Sequence, residues 1–364
     1  MILIIDKHCS TIDYDGGNLK LSHSNGSRRV PLKMLEQVVV YGNPLITARA
    51  LRELAAACIP SVFTTSRGAN RTALIGRGFS GQLQYRTLQH SLAADARTRL
   101  SVAKWVVENK RQSYTLALDE FDPGSGNPQA NTDRFVARCQ RAADSIASAN
   151  SSSSLLGVEG QLAQAWFALL ARQLPTHWRF TGRNRRPPRD PVNAMLSLGY
   201  TLLGCEVREC LIGHGLDPAL GFLHSAYPGR DSMALDLTEL FRSAVDAFVI
   251  QMVLTEKFRP SDFSFHNEYG CRLKKKMRGN WYAAWANYRY HWPRLLAVPP
   301  TSGTVTPESS VTPGEALESN DENTKHNREG KTGTYTDIAE LPTAINHCMM
   351  VFKQVLKHID QTDD

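Results

Sequence analysis

A carboxylate lies on the apolar face of a predicted helix that runs from Leu155 to Leu174. Leu162 and Trp166 recur at helical spacing, and Glu159 falls on the same stripe. A carboxylate in apolar surroundings loses hydration unless it pairs with a cation or binds a metal ion. Two interpretations therefore stay open, namely a structural ion pair with an arginine and a functional site.

A histidine and two further carboxylates occur together in the stretch Gly221–Arg242. His224 precedes a turn, and a helix predicted to begin at Ser232 places Asp236 and Glu239 on one face. These residues could form a solvated acidic face beside a structural histidine. Imidazole and carboxylates also suit Mg²⁺ or Mn²⁺, because both cations prefer oxygen ligands and Mn²⁺ tolerates nitrogen. Residue types alone do not decide between the two interpretations.

Positive charge is concentrated in two stretches of the chain. The sequence has 42 Lys and Arg against 35 Asp and Glu, a formal net charge of +7. His177–Arg189 and Cys271–Arg294 are rich in basic residues and contain no acidic residue. A basic surface on an otherwise acidic protein predicts a polyanionic partner such as DNA. The predicted DNA-contacting residues are Arg183, Arg185, Arg186, Arg189, Lys274, Lys275, Lys276 and Arg278.

Aromatic residues interleave with the cations of the second basic stretch. Base stacking combined with phosphate attraction is how proteins bind single-stranded nucleic acid. Tyr282, Trp285 and Tyr288 are also at helical spacing, which is typical of one buried helix face. Nucleic-acid contact and core packing are both open for these three rings.

The hydrophobic pattern that must position these groups changes once along the chain. Residues 1–82 contain short β-branched and aromatic runs between turn signals, which predicts a small β-rich N-terminal domain. In residues 83–298 apolar residues recur every three or four positions, which predicts a larger all-helical domain that contains Glu159, His224 and Glu239. The expected fold class is therefore α+β. Residues 299–337 form a predicted disordered acidic linker, and residues 338–364 a short amphipathic helix.

The predicted C-terminal helix has one apolar face, which includes Ile345, Met349 and Phe352. A helix this short is not stable alone and must pack against another surface. That surface could belong to the helical domain, to a second copy of the chain or to a partner protein. A long linker could let the helix reach a second copy, so we expect packing across a dimer. Truncation after Pro300 is then expected to leave cleavage near normal.

Several protein classes are excluded or disfavoured. The seven cysteines include no CxxC pair, which indicates reduced thiols and a cytoplasmic protein. No run approaches 18 apolar residues, and the opening MILIID lacks the basic residues of a signal peptide. We therefore expect no contact with a membrane.

Three longer motifs occur in one order along the chain. GVEGQLAQAWF surrounds Glu159, NRRPPRDPVNAMLSLGY begins at Asn184, and GLDPALGFLHSAYPGRDSMALDLTELFR begins at Gly215. With RRVPLKMLEQVVVYGN and ACIPSVF nearer the N-terminus, they make residues 1–295 similar to a known family. That family is the CRISPR-associated spacer-acquisition integrases, the Cas-one family. Its members usually end soon after the helical domain, so the C-terminal tail is a departure from its pattern.

The resemblance implies a metal-dependent DNA endonuclease and integrase of a prokaryotic cytoplasm. The implied catalytic and metal-binding residues are Glu159, His224 and Glu239, with Asp236 sometimes counted among them. With Mg²⁺ or Mn²⁺, a DNA 3′-hydroxyl attacks a phosphodiester and inserts a short foreign fragment into a CRISPR array. The implied partners are double-stranded fragments with single-stranded ends, the CRISPR repeat, a second copy joined through the N-terminal domain, and the small Cas-two protein that bridges two homodimers.

Two other functions are compatible with the same sequence. One is a nucleic-acid-binding scaffold without activity, although the presence of all three implied ligands argues against it. The other is a transposon integrase of the same family. Cas genes and a repeat array beside the gene would favour the CRISPR function over the transposon function.

Overall fold

A computed structural model provides the architecture of the chain. It describes residues 1–5, 11–24, 26–64, 73–75, 82–118, 129–184, 187–268, 270–293, 338–339 and 341–362. The predicted linker, residues 299–337, lies outside the described residues. So do Arg185 and Arg186 of the first basic stretch.

The N-terminal part consists of two small sheets and one helix. Its elements are β1 (Ile2–Ile5), β2 (Thr11–Asp15), β3 (Asn18–His23), β4 (Gly26–Pro31), β5 (Gln37–Tyr41), β6 (Leu45–Ile46), α1 (Ala48–Ala56), β7 (Ser61–Thr64) and β8 (Ala73–Ile75). One sheet has the order β1-β5-β7-β8 and is parallel except for β8. The other has the order β4-β3-β2-β6 and is antiparallel except for the β2–β6 pair.

Alternate residues of the first sheet face two different cores. Val38 and Val40 of β5 belong to the core that both sheets share. Val39, between them, belongs to the core of the helical part. Successive side chains of a strand point to opposite faces, so this sheet is buried on both sides and joins the two parts of the chain.

The rest of the described chain is mostly helical, which confirms the predicted fold class. The elements are α2 (Leu83–Ala94), α3 (Ala96–Leu118), α4 (Gln129–Ser148), α5 (Ser152–Gln173), α6 (Pro191–Gly213), α7 (Ser232–Leu254), β9 (Phe263–His266), β10 (Gly270–Leu273), α8 (Lys275–Tyr290), β11 (Trp292–Pro293), β12 (Ile338–Ala339) and α9 (Leu341–Thr362). The antiparallel β9–β10 hairpin is a difference from the expected all-helical domain. Strands of four residues are too short to give a clear periodic signal.

Helix α7 lies at the centre of the helical part, against α3 and α6. Most of its side chains are buried, including those of Asp236, Glu239 and Asp246. The preceding helices begin at clear caps: the side chain of Ser151 accepts from Ser154 N–H before α5, and that of Asp190 accepts from Asn193 N–H before α6.

The aromatic residues of α8 pack in the core. Trp281, Tyr282 and Trp285 are at most 1% exposed. The ring of Phe248 lies 5.0 Å from that of Trp281 and 5.4 Å from that of Trp285, measured between centroids. Of the two interpretations left open by the sequence, core packing therefore holds for these buried rings.

Helix α9 packs against α2 and α6 of its own chain. The expectation that it packs across a dimer is therefore wrong. The reason is the pairing of β12 with β11, which returns the chain to the end of α8 before α9 begins. The buried residues of α9 join the core of the helical part and are Leu341, Ala344, Ile345, Cys348, Met349, Phe352, Val355 and Leu356.

Among the described residues, no helix is both long enough and apolar enough to span a membrane. None of the cysteines in the described ranges forms a disulfide.

Candidate active site

Three helices each contribute one charged side chain to a single cluster. Lys110 of α3 donates through Nζ to Oε1 of Glu159 on α5 and, at 2.5 Å, to Oε2 of Glu239 on α7. The side chains of Lys110 and Glu239 are each 4% exposed, whereas that of Glu159 is 17% exposed. Two of the predicted site residues therefore converge, and they do so on a lysine that was not predicted.

A second cation contacts the same cluster. Arg242 lies one turn after Glu239 on α7, and its Nη1 is 2.7 Å from Glu239 Oε1. Burial acts to raise the pKa of Glu239, but Arg242 and Lys110 outweigh burial and lower that pKa to about 2. The alternative of a solvated acidic face is therefore wrong for Glu239, which is charged and enclosed.

Asp236 holds the loop that carries His224. Its Oδ2 accepts from the backbone N–H groups of Phe222 at 2.6 Å and Leu223 at 2.9 Å. Its Oδ1 contacts His224 twice, at 3.0 Å through the backbone N–H and at 2.7 Å through Nδ1. The loop passes so close that a Cβ added at Gly221 would meet Asp236 Oδ2 at 2.8 Å. Asp236 therefore positions His224, and both of its oxygens are engaged in doing so.

The contact with Asp236 determines which nitrogen of His224 is available. A carboxylate oxygen only accepts hydrogen bonds, so Nδ1 carries the proton and Nε2 of the neutral ring carries the lone pair. A histidine that binds a metal is commonly oriented in this way, by a carboxylate on its other nitrogen. Asp236 and Glu239 are three residues apart on α7, so the carboxylate that holds His224 lies about one turn from the cluster.

The donor set suits Mg²⁺ or Mn²⁺ in kind, since it comprises two carboxylates and an imidazole nitrogen. Over the described residues, no three His, Cys, Asp or Glu side chains are close enough together to enclose a metal ion. The positive charge between Glu159 and Glu239 is the ammonium of Lys110. A divalent cation would therefore have to replace that ammonium in its contacts with the two carboxylates.

A polar layer lies behind the cluster, about two turns further along α7. Asp246 is buried there and accepts from the Tyr200 hydroxyl and, at 2.8 Å, from Trp166 Nε1–H. Burial raises the pKa of Asp246 to about 6, although both hydrogen bonds act to lower it. The guanidinium of Arg242 lies 4.9 Å from the centre of the Tyr200 ring, and that of Arg183 lies 5.4 Å from it. These contacts fix Arg242 beside the cluster.

The predicted DNA-contacting residues differ in their exposure. The guanidinium of Arg183 faces inward and donates to Asn193 Oδ1 and Ser197 Oγ. That of Arg278 lies 4.3 Å from the centre of the Tyr41 ring. Among the described members of the set, the exposed ones are Arg189, Lys274, Lys275 and Lys276. Lys274 Nζ donates to the Ser261 carbonyl at 2.8 Å and would have to leave that contact to bind a phosphate.

Lys110, like Arg242, is a charged residue of the cluster that the sequence prediction missed. It shares a face of α3 with Ala103 and Val106, both of which are buried. A charged residue on an apolar helical stripe is the same signal that singled out Glu159. The pattern around Lys110 could therefore have identified it as well.

Comparison with known proteins assigns the family. The chain matches the family model for CRISPR associated protein Cas1 over residues 3–287. A CRISPR-associated endonuclease Cas1 of Thermodesulfovibrio yellowstonii is 33% identical over 285 residues, which cover 77% of this chain and 88% of the relative. A CRISPR-associated exonuclease Cas4/endonuclease Cas1 fusion of Leptospira interrogans is 34% identical over 241 residues, 65% of this chain. That match spans only 44% of the fusion's length.

Two solved structures share the fold at low sequence identity. A casposase bound to integration product has a TM-score of 0.73 at 20% identity, over 98% of this chain and 90% of the casposase. A chain of a Cas6-RT-Cas1–Cas2 complex has a TM-score of 0.72 at 17% identity, over 98% of this chain and 35% of that chain. At such identities the likeness concerns the fold alone. Since the family model matches most of the sequence, the chain belongs to the Cas1 family of CRISPR-associated proteins.

Proposed function

We propose that the protein is a divalent-metal-dependent DNA endonuclease and integrase that inserts short DNA fragments into a CRISPR array. The observation that carries this proposal is the convergence of Glu159 and Glu239 on Lys110, beside a histidine held by Asp236. Positively and negatively charged side chains thus lie together in one partly buried cluster. Such a cluster suits a reaction in which negative charge builds up around a phosphorus centre.

The proposed reaction exchanges one phosphodiester bond for another. The 3′-hydroxyl oxygen of the incoming fragment attacks a target phosphorus in line. The new bond to phosphorus forms as the bond to the target strand's own 3′ oxygen breaks. The attacking hydroxyl loses its proton to solvent, and the released 3′ oxygen takes up a proton from solvent. With water as the nucleophile, the same displacement is hydrolysis, which gives endonuclease activity.

Glu159, Glu239 and Nε2 of His224 are the groups that would hold Mg²⁺ or Mn²⁺, which would supply Lewis-acid chemistry. The remaining groups act through their own charges and hydrogen bonds. Lys110 and Arg242 balance the charges of the two carboxylates, and a bound cation would take over the contacts of the Lys110 ammonium. Asp236 keeps His224 in one orientation and one tautomer.

The proposed partners are DNA, a second copy of the chain and the Cas2 protein. The exposed Arg189, Lys274, Lys275 and Lys276 provide positive charge for the phosphate backbone. The proposed substrates are double-stranded fragments with single-stranded ends, and the proposed target is the CRISPR repeat. Family membership supports Cas2 as the bridge between two homodimers, as does the fold match to a chain of a complex that contains Cas2.

Strand transfer into a repeat-containing plasmid tests the proposal. We expect transfer with Mn²⁺ or Mg²⁺, and loss of transfer on addition of EDTA or in Glu159→Gln, His224→Ala and Glu239→Gln. The matched control is Glu256→Gln, whose carboxylate is 73% exposed just beyond α7 and should be dispensable. Full Mn²⁺-dependent activity in Glu159→Gln would overturn the assignment of the site.

A transposon integrase is the second candidate, because the fold match to a casposase covers 98% of this chain. The choice of target separates the two functions. Insertion next to CRISPR repeats supports spacer acquisition, whereas insertion without regard to repeats supports the transposon reaction. DNA binding with no strand transfer under any metal would instead indicate a scaffold.

A further inference from the structure

We propose that the C-terminal helix α9 is a positioning element of the active site, through contact of Phe352 with the loop that carries His224. The inference rests on the proposed function in one respect, namely that His224 belongs to the site. It replaces the expectation that the tail is dispensable for chemistry.

The ring of Phe352 lies between two aromatic residues of the catalytic domain. Its centroid is 5.7 Å from that of Trp105 on α3 and 6.0 Å from that of Phe222, with a T-shaped arrangement in the second pair. Phe352 and Phe222 are completely buried, and Trp105 is 3% exposed. Aromatic pairs at these distances add directional contact to the burial of apolar area, so Phe352 restricts the position of the Phe222 ring.

Phe222 affects the orientation of His224 through its backbone hydrogen bonds. Its backbone N–H donates to Asp236 Oδ2 at 2.6 Å, and its carbonyl accepts from Arg99 Nε at 3.0 Å. His224 follows only two residues later and contacts the other oxygen of Asp236. A shift of the Phe222 ring would therefore disturb the hydrogen bonds that orient the imidazole.

Helix α9 also contacts the start of the segment that leads to this loop. The Nε2 atom of His214, at the end of α6, lies 3.0 Å from Oδ1 of Asn346 on α9. Between the two contact points, the side chain of Gln89 on α2 donates to the carbonyls of Asp217 and Leu220. The connection from α6 to His224 is thus held at both ends by α9 and in the middle by α2.

The test uses the full chain with Phe352→Ala, because deletion of α9 would uncover a large part of the core. The control is Leu341→Ala, which removes an equally buried side chain about 16 Å away along the same helix. Phe352→Leu restores apolar volume and serves as the conservative variant. Each protein is assayed for strand transfer, DNA affinity without metal, and amide hydrogen exchange of the peptide containing Leu220–His224.

We expect Phe352→Ala to lower kcat by roughly ten- to a hundredfold, as misplacement of a reacting group by about an ångström does. DNA affinity should stay unchanged, and the amides of Phe222, Leu223 and His224 should exchange faster. Phe352→Leu should restore most of the wild-type kcat and most of the wild-type protection of these amides from exchange. Leu341→Ala should change neither kcat nor the exchange of these amides. Unchanged exchange in Phe352→Ala, or equally fast exchange in Leu341→Ala, would overturn the inference. If the wild-type protein lacks strand transfer, the proposed function fails, while the exchange experiment still decides this inference.

Discussion

Replacing Lys110 by methionine tests whether the cluster is built to hold a positive charge. Methionine keeps the unbranched side chain as far as Cε but removes the ammonium that contacts Glu159 and Glu239. The two carboxylates then face each other across the site, with Arg242 still bound to Glu239. Removing one partner of a buried ion pair is strongly destabilising because the remaining charge is left uncompensated.

The size of the effect follows from burial. Breaking a buried pair costs about 3–5 kcal/mol, and the lower end applies because Glu159 is 17% exposed and Glu239 keeps Arg242. About 3 kcal/mol corresponds to a fall in Tm of roughly 6–12 °C for a domain of this size. Free Mn²⁺ at about 100 times its Kd would raise the free energy of unfolding by about 2.7 kcal/mol, because it binds only the folded state.

The assay is thermal unfolding of wild type and Lys110→Met in EDTA and across a Mn²⁺ titration. We expect the variant to have a lower Tm than the wild type in EDTA. We also expect Mn²⁺ to raise the Tm of the variant more than that of the wild type, because in the variant the cation displaces no ammonium. Lys104→Met on the same helix is the control, because Lys104 donates to the Ala147 carbonyl and contacts no carboxylate of the cluster. Equal Mn²⁺ shifts in wild type and Lys110→Met would refute the reasoning.

Two further predictions concern acid stability and DNA affinity. Since the pKa of Glu239 is lowered from 4.5 to about 2, its contribution of about 3 kcal/mol is present above pH 4.5 and is lost as the pH falls toward 2. Urea unfolding in EDTA should therefore show wild type and Glu239→Gln converging in stability over that range, and a constant difference would contradict the lowered pKa. Neutralising Lys275 and Lys276 together should reduce the slope of log K against log salt by about 0.9 for each phosphate that the protein no longer neutralises. Arg183→Gln should leave that slope unchanged and lower stability instead, because its guanidinium is bound to Asn193 and Ser197.

Local features of the fold were predictable because their signals are local. Helix α7 begins at Ser232 as expected. Periodicity alone also placed Glu159 on a mostly apolar helix face. In each case the determining residues lie within a few positions of one another.

Long-range pairing was less predictable. The sequence suggested an arginine as the partner of Glu159, but Lys110 reaches it from a different helix, 49 positions away. The exposure of Asp236 and Glu239 was equally open, because spacing defines a helix face but not what covers it. Core packing of Trp281 and Trp285 depends on Phe248 of α7, which no local pattern could reveal.

The position of α9 affects when the helical part can complete its fold during synthesis. Trp105 and Phe222 belong to a core that also contains Phe352, and β12, which pairs with β11, comes just before α9. At about 5–20 residues per second, a ribosome needs roughly 5–20 s to travel from the end of α7 to the end of α9. During that interval the surface that receives α9 is exposed. Nascent chains should therefore be most prone to chaperone binding and aggregation late in translation, after every predicted metal ligand has already been made.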